Sequence, residues 1–261
     1  MSALRACLHA EWTKVRTLPG TFWLLAGVVV LTAAVGAVTA AAVTCAAAGC
    51  GQDPAKISLT GIDLGQAIAV IVAILAVTGE YGTGMIRVTL AAVPRRGTVL
   101  AAKALIVTGL VLAAGTVAVL AAMLAGRLIL PGRGLTPAHG YPPLSLTGPD
   151  LRAAAGSALY LGLVALLALG VAVAIRDSAV AIGAVLGLLY LFPVIATALD
   201  PGWRRHLEQI GPMSAGLDIQ ATTGPALGSQ ALSPWAGLGV LALWALGAML
   251  LGGLAFRLRD A

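Results

Sequence analysis

Charge is scarce in this chain: Lys, Arg, Asp and Glu make up 10% of its 261 residues, against roughly 25% in an ordinary soluble domain. A chain so poor in charge cannot cover itself with a polar surface, and lipid must be its solvent. Lysine is scarce. Only Lys14, Lys56 and Lys103 occur, and none follows a glycine. This excludes a P-loop, whose Gly-Lys step brings an ammonium to nucleotide phosphates. If the chain does work on a solute, the energy must come from another subunit. Histidine is limited to His9, His139 and His206, which lie far apart, and there is no H-E-x-x-H. The Gly156-Ser157 pair has no base within a span to activate it. Both absences speak against an intramembrane protease. The three cysteines have no metal-ligand spacing. Cys7 lies in the N-terminal tail, and Cys45 and Cys50 flank an Ala/Gly stretch. Two readings of the latter pair stay open: small apolar residues, or an extracytoplasmic disulfide.

What the chain does have is apolar length. It is 59% hydrophobic, with a mean hydropathy of +0.98. A hydrocarbon core roughly 30 Å thick needs about 20 apolar residues per helix. Six such spans are expected, at about 21–43, 62–78, 100–126, 153–175, 179–199 and 234–256. The expected fold is all-α, a single polytopic membrane domain over 1–261 with no room for a soluble catalytic domain, and hence not an enzyme. Ala and Gly in the spans allow close helix approach where lipid removes the hydrophobic drive. No ionisable residue sits deep within a span, which argues against an ion-coupled carrier.

The segments between spans are more specific. Residues 2–18, SALRACLHAEWTKVRTL, place Leu4, Leu8, Trp12, Val15 and Leu18 on one helical side and Arg5, His9, Thr13 and Arg16 on the other. This is an amphipathic helix suited to a membrane surface. Glu11 falls in the apolar sector, and Lys14, one turn on, can pair with it. Pro19-Gly20 ends that helix. A polar loop is expected around Asp53, Pro54 and Lys56, and an irregular one over 131–149. Arg176-Asp177-Ser178 makes a tight turn. Pro193 kinks span 5, where Gly183-x-x-x-Gly187 is a small-residue pattern of little weight among 33 glycines. Residues 200–233 carry short helices broken by Gly and Pro.

The segment 79–97, GEYGTGMIRVTLAAVPRRG, is too polar and too short to span. It predicts a short surface helix with Met85, Ile86, Thr89, Leu90 and Val93 on one broad face and Arg87 on another. Such a helix is a lever that a soluble partner can grip. Charge sets the orientation. With the N-terminus inside, ten of the sixteen basic residues face the cytoplasm, as the positive-inside rule requires. Both termini are then cytoplasmic. The +6 formal charge therefore reads as membrane orientation and not as nucleic-acid binding.

Three segments taken in register resemble the permease subunits of bacterial ABC-2-type transporters, in particular the actinobacterial branch. They are His9-Ala10-Glu11-Trp12-Thr13-Lys14-Val15-Arg16-Thr17, the run from Gly79 through Leu90 and Val93-Pro94-Arg95-Arg96 to Lys103, and Arg176-Asp177-Ser178-Ala179 with Trp244 and the Arg257/Arg259 tail. The resemblance implies a multi-pass protein of the bacterial plasma membrane. It implies a connecting helix at 1–19 that uses Glu11, Trp12, Lys14 and Arg16. It also implies a coupling helix at 80–93 that presents Glu80, Tyr81, Met85, Ile86, Arg87 and Leu90 to a separate cytoplasmic ATPase. Gly82 and Gly84 lower helix propensity by about 1 kcal/mol each, so that helix is expected to start after Gly84. Short re-entrant helices are implied at 203–231. The implied activity is ATP-driven export of a hydrophobic or amphipathic solute (a drug, lipid or peptide) by two permeases, identical or related. ATP and Mg then sit on the partner, and this chain holds neither cofactor nor metal. The rival readings are a non-transporting sensor, immunity or assembly component and an ion-coupled secondary carrier.

Overall fold

The computed structural model describes residues 2–17, 19–45, 51–141, 143–222 and 232–258. It is all helical, with no strand among the described residues. Six helical segments are long and apolar enough to cross a membrane: Pro19–Ala42, Pro54–Gly82, Arg96–Arg133, Gly148–Ile175, Ser178–Thr197 and Pro234–Leu258. This is the architecture of a multi-pass membrane protein.

α1 (Ser2–Thr17) leads into α2 (Pro19–Ala42). The inward side of α1 carries Leu4, Cys7, Leu8, Glu11, Lys14 and Val15, whereas Trp12 is exposed. Cys7 is buried with Val99 and Ala102, and Leu4, Leu8, Leu90 and Val93 pack around them. The inward stripe is thus rotated from the expected Leu4/Leu8/Trp12/Val15 line, and Leu18 lies outside the described residues. Glu11 already stands in the apolar sector of the sequence, and Lys14 turns inward with it because each also pairs with a charge on another helix, Glu11 with Lys103 and Lys14 with Glu80.

The polar loop expected around Asp53 is instead a helix, α3 (Pro54–Leu59). Asp53 caps it, its Oδ1 accepting from the backbone N–H of Ala55 at 3.1 Å and Lys56 at 3.2 Å. Proline at the first helical position completes the start signal. After Thr60 and Gly61 the chain enters α4 (Ile62–Gly82). A side chain on Gly61 would strike the Thr32 backbone of α2. The disulfide considered between Cys45 and Cys50 falls partly outside the described residues; Cys45 itself is buried and disulfide-bonded.

α5 (Met85–Ala92) starts directly after Gly84, whose φ of 72° is a left-handed conformation that glycine adopts without strain. α6 (Arg96–Ile129) follows. The 131–149 connection holds two short 3₁₀ turns, Leu130–Arg133 and Pro137–His139. α7 (Gly148–Ile175) is the most enclosed helix and packs on α4, on α6 and on α12 (Pro234–Leu258). It meets α12 backbone to backbone: a Cβ on Gly170 would hit Ala248 and Met249, and one on Gly252 would hit the Gly170 carbonyl.

The tight turn at 176–178 is present. Arg176 is left-handed at φ 65°, and Asp177 caps α8 (Ser178–Leu186) by accepting from the Val180 N–H at 2.8 Å. A π turn, Gly187–Leu191, then leads into α9 (Phe192–Thr197). Pro193 has no N–H to give the preceding turn, and the ladder changes register just ahead of it. α10 (Pro201–Ile210), α11 (Pro212–Leu217) and a 3₁₀ turn at Asp218–Gln220 follow. α11 folds back onto α12 and α7, with Ala215 and Ile219 buried. Of the short helices expected at 203–231, those up to Gln220 are present, and 223–231 lies outside the described residues.

An even number of span-length segments brings the end of α12 back to the face on which α1 lies. α1, α5 and the end of α12 share that face, where Arg96 Nη1 donates to the Phe256 carbonyl at 2.8 Å. α3, α10 and α11 lie on the far face.

Candidate functional site: a buried ring of four charges

Where α1 crosses the ends of α4 and α6, four charged side chains close a ring. Lys14 Nζ lies 2.8 Å from Glu11 Oε1 and 2.7 Å from Glu80 Oε1. Lys103 Nζ lies 2.7 Å from Glu11 Oε2 and 2.8 Å from Glu80 Oε1. Two carboxylates and two ammoniums alternate, so the ring is neutral. It is also buried: Glu11, Glu80 and Lys103 are only 6%, 7% and 5% exposed.

Each helix supplies its charge for a local reason. Glu11 and Lys14 are one turn apart on α1 and so share a face. Glu80 stands in the last turn of α4, on the side turned to α6. Lys103 is two turns into α6, and its third donor goes to the Ala76 carbonyl at 3.0 Å. All three ammonium hydrogens of Lys103 are therefore used. Lys14 remains partly exposed at the rim. Burial pulls its ammonium downward, but hydrogen bonds from it to Glu11 and Glu80, together with their field, outweigh burial and hold it above its ordinary range. Glu80 Oε2 has no hydrogen-bond partner among the described residues. It borders a cavity of about 20 Å³ that Tyr81, Ile86 and Val173 also line, enough for one water.

A ring of this kind fastens. Removing one partner of a buried ion pair costs about 3–5 kcal/mol, because the other charge is left uncompensated. The ring joins α1 to α4 and α6, adding charge pairing to the apolar contact of Cys7 with Val99 and Ala102. Tyr81 adds a further tie: the Arg176 guanidinium stands over its ring at 5.1 Å, linking α4 to the α7–α8 turn. Among the described residues no group of three or more His, Cys, Asp or Glu could hold a metal ion.

The residues singled out from sequence fall into two sets. Glu11, Lys14 and Glu80 are members of the ring. Tyr81 is half-buried against Arg176. Ile86 is buried and Leu90 packs on the core behind it. Trp12, Arg16, Met85 and Arg87 face outward. The outward face of α5 is thus Met85, Arg87 and Val88, with Glu80, Ile86 and Leu90 turned to the bundle. Val88, 71% exposed, was missed, as was Lys103 as a counter-ion. The one signal for Lys103 was Glu11 itself: an acid in an apolar stripe needs a cation, and the chain has few lysines to offer. No protein-family model matches the chain, and no curated protein matches it either.

Proposed function

We propose that this chain is the membrane subunit of an ATP-driven exporter, worked by a separate cytoplasmic ATPase that grips α5. The observation that carries this reading is the pairing of a short exposed helix with a rigid mounting. α5 offers Met85, Arg87 and Val88 to the surroundings, while Ile86 and Leu90 bed it on the bundle. Directly behind it the charge ring ties α1, α4 and α6 into one block. A push on α5 then moves spans as a unit and does not merely bend a loop. The face that holds α1, α5 and the end of α12 is the cytoplasmic one on this reading. The second permease is a copy of this chain or a related one, and the apolar spans suit a hydrophobic or amphipathic solute.

The test is co-purification with the P-loop ATPase encoded nearest to this chain, followed by reconstitution in nanodiscs. ATP hydrolysis should depend on this subunit. Replacing Arg87 and Val88 together (Arg87→Glu, Val88→Asp) should abolish that dependence, with the melting temperature of the membrane subunit unchanged. Hydrolysis indifferent to both changes overturns the reading. So does labelling of an Arg87→Cys variant by an impermeant maleimide from outside intact cells.

A further inference from the structure

The far face holds a second polar region of opposite design. A cavity of about 650 Å³ opens among α3, α4, α9, α10 and α11, and its charged lining is Lys56, Asp63, Arg204, Arg205, Glu208 and Asp218. Arg204 and Glu208 satisfy each other across one helical turn at 2.7 Å. The other four do not: among the described residues, the side chains of Lys56, Asp63, Arg205 and Asp218 make no hydrogen bond or ion pair. The field of Lys56 reaches both Asp63 and Asp218 without contact. Asp63 gains a little more from its place in the first turn of α4.

Gln220 supplies an independent observation. It lines the same cavity, is 3% exposed, and its Nε2 has no hydrogen-bond partner among the described residues. A buried donor without an acceptor is costly, as is a half-buried carboxylate without a donor. The cavity therefore presents two half-buried carboxylates with no donor among the described residues (Asp63 and Asp218) beside two exposed cations (Lys56 and Arg205). A simple cation would leave the donors unmatched, and a simple anion would meet two carboxylates. Pro193 and Leu217 add an apolar wall on the side of span 5.

We propose that the far-face cavity binds a zwitterion, its primary ammonium received by Asp63 and Asp218 and its phosphate or carboxylate by Lys56 and Arg205. This ligand chemistry has two sources: a phospholipid with an ethanolamine headgroup, or a water-soluble zwitterion of the same kind. The inference stands on the cavity alone and does not depend on the reading of α5.

The test uses the full chain in nanodiscs of equimolar phosphatidylethanolamine, phosphatidylcholine and phosphatidylglycerol, with the retained lipid counted by native mass spectrometry. Phosphatidylethanolamine should be retained in preference, since the choline ammonium has no N–H to donate and glycerol has no cation. Asp63→Asn with Asp218→Asn should reduce that retention about tenfold or more, as expected for loss of charge-assisted hydrogen bonds. Arg205→Gln, at an exposed site on α10 that leaves the fold undisturbed, should weaken it as well. Glycerophosphoethanolamine is then added: displacement of the lipid identifies a site for the soluble zwitterion too, and no displacement identifies a lipid site. Equal retention of the three lipids together with no binding of glycerophosphoethanolamine overturns the proposal. So does retention unchanged in Arg205→Gln and in whichever aspartate variant folds.

Discussion

The two ends of α4 show two ways of handling charge next to a membrane. Glu80 closes one end and Asp63 opens the other, about 26 Å apart by helix rise. At the Glu80 end, every charge of the ring meets an opposite one within 2.8 Å, and three of the four are buried. At the Asp63 end, charges of both signs share a wide cavity, and among the described residues only Arg204 and Glu208 are joined. The first arrangement is complete without a ligand and serves to hold helices together. The second leaves charges of both signs apart around open space. Similar residue types therefore perform opposite tasks, and geometry separates the two.

That contrast can be broken by substitution, and the largest effect belongs to the closed end. Lys103→Met removes three hydrogen bonds and leaves Glu11 and Glu80 sharing one ammonium. The loss should be about 3–5 kcal/mol, read as a large fall in unfolding midpoint in detergent, and a second change, Glu11→Gln, should recover part of it. A wild-type midpoint for Lys103→Met would mean that the ring fastens nothing.

A smaller effect is expected at the open end, and its sign is reversed. Burial raises the Asp218 carboxyl above its ordinary 3.8, Lys56 opposes that rise, and Glu208 adds to it. The folded protein therefore binds this proton more tightly than the unfolded chain. Stability contributed by the protonated form is complete below 3.8 and lost as pH rises through the raised folded value. Asp218→Asn should flatten the pH dependence of the unfolding midpoint in that mildly acidic window without lowering stability at neutral pH. A steeper slope in the variant would show that the carboxylate is paired after all.

The smallest effect is expected from Arg204→Gln. The Arg204–Glu208 pair is exposed, and pairs of its kind contribute about 0.3–0.5 kcal/mol. A loss above about 1 kcal/mol in a chemical unfolding titration would place this pair with the fastening charges and blur the comparison.

Sequence was a good guide wherever one property decided the outcome. Apolar length located the six spans, since few other structures satisfy a backbone in lipid. Gly84 marked the start of α5, and Arg176-Asp177 the turn between spans 4 and 5. Glu11 and Lys14 were legible as a pair because they stand three positions apart on one helix. Lys103 was not, since it lies 92 positions from Glu11 and only the packing of α1 on α6 brings them together. α3 was hidden because its six residues make too weak a periodic signal, and a single capping aspartate decides it. The face of α5 was assigned too broadly. Met85 and Ile86 are adjacent, yet one step of about 100° puts the first outside and the second inside. The far-face cavity had no sequence signal, as five separate helices contribute to it.

The π turn at Gly187–Leu191 has its own consequence for span 5. One additional residue in a turn advances everything beyond it by about 100° around the axis. The Gly183/Gly187 side of α8 and the Pro193/Thr197 side of α9 are therefore aimed independently, although a straight-helix projection would plot them on one wheel. The first half of this crossing is free to suit its neighbours within the bilayer, and the second half is free to contribute to the cavity wall, so that one membrane passage works as two components with separate bearings.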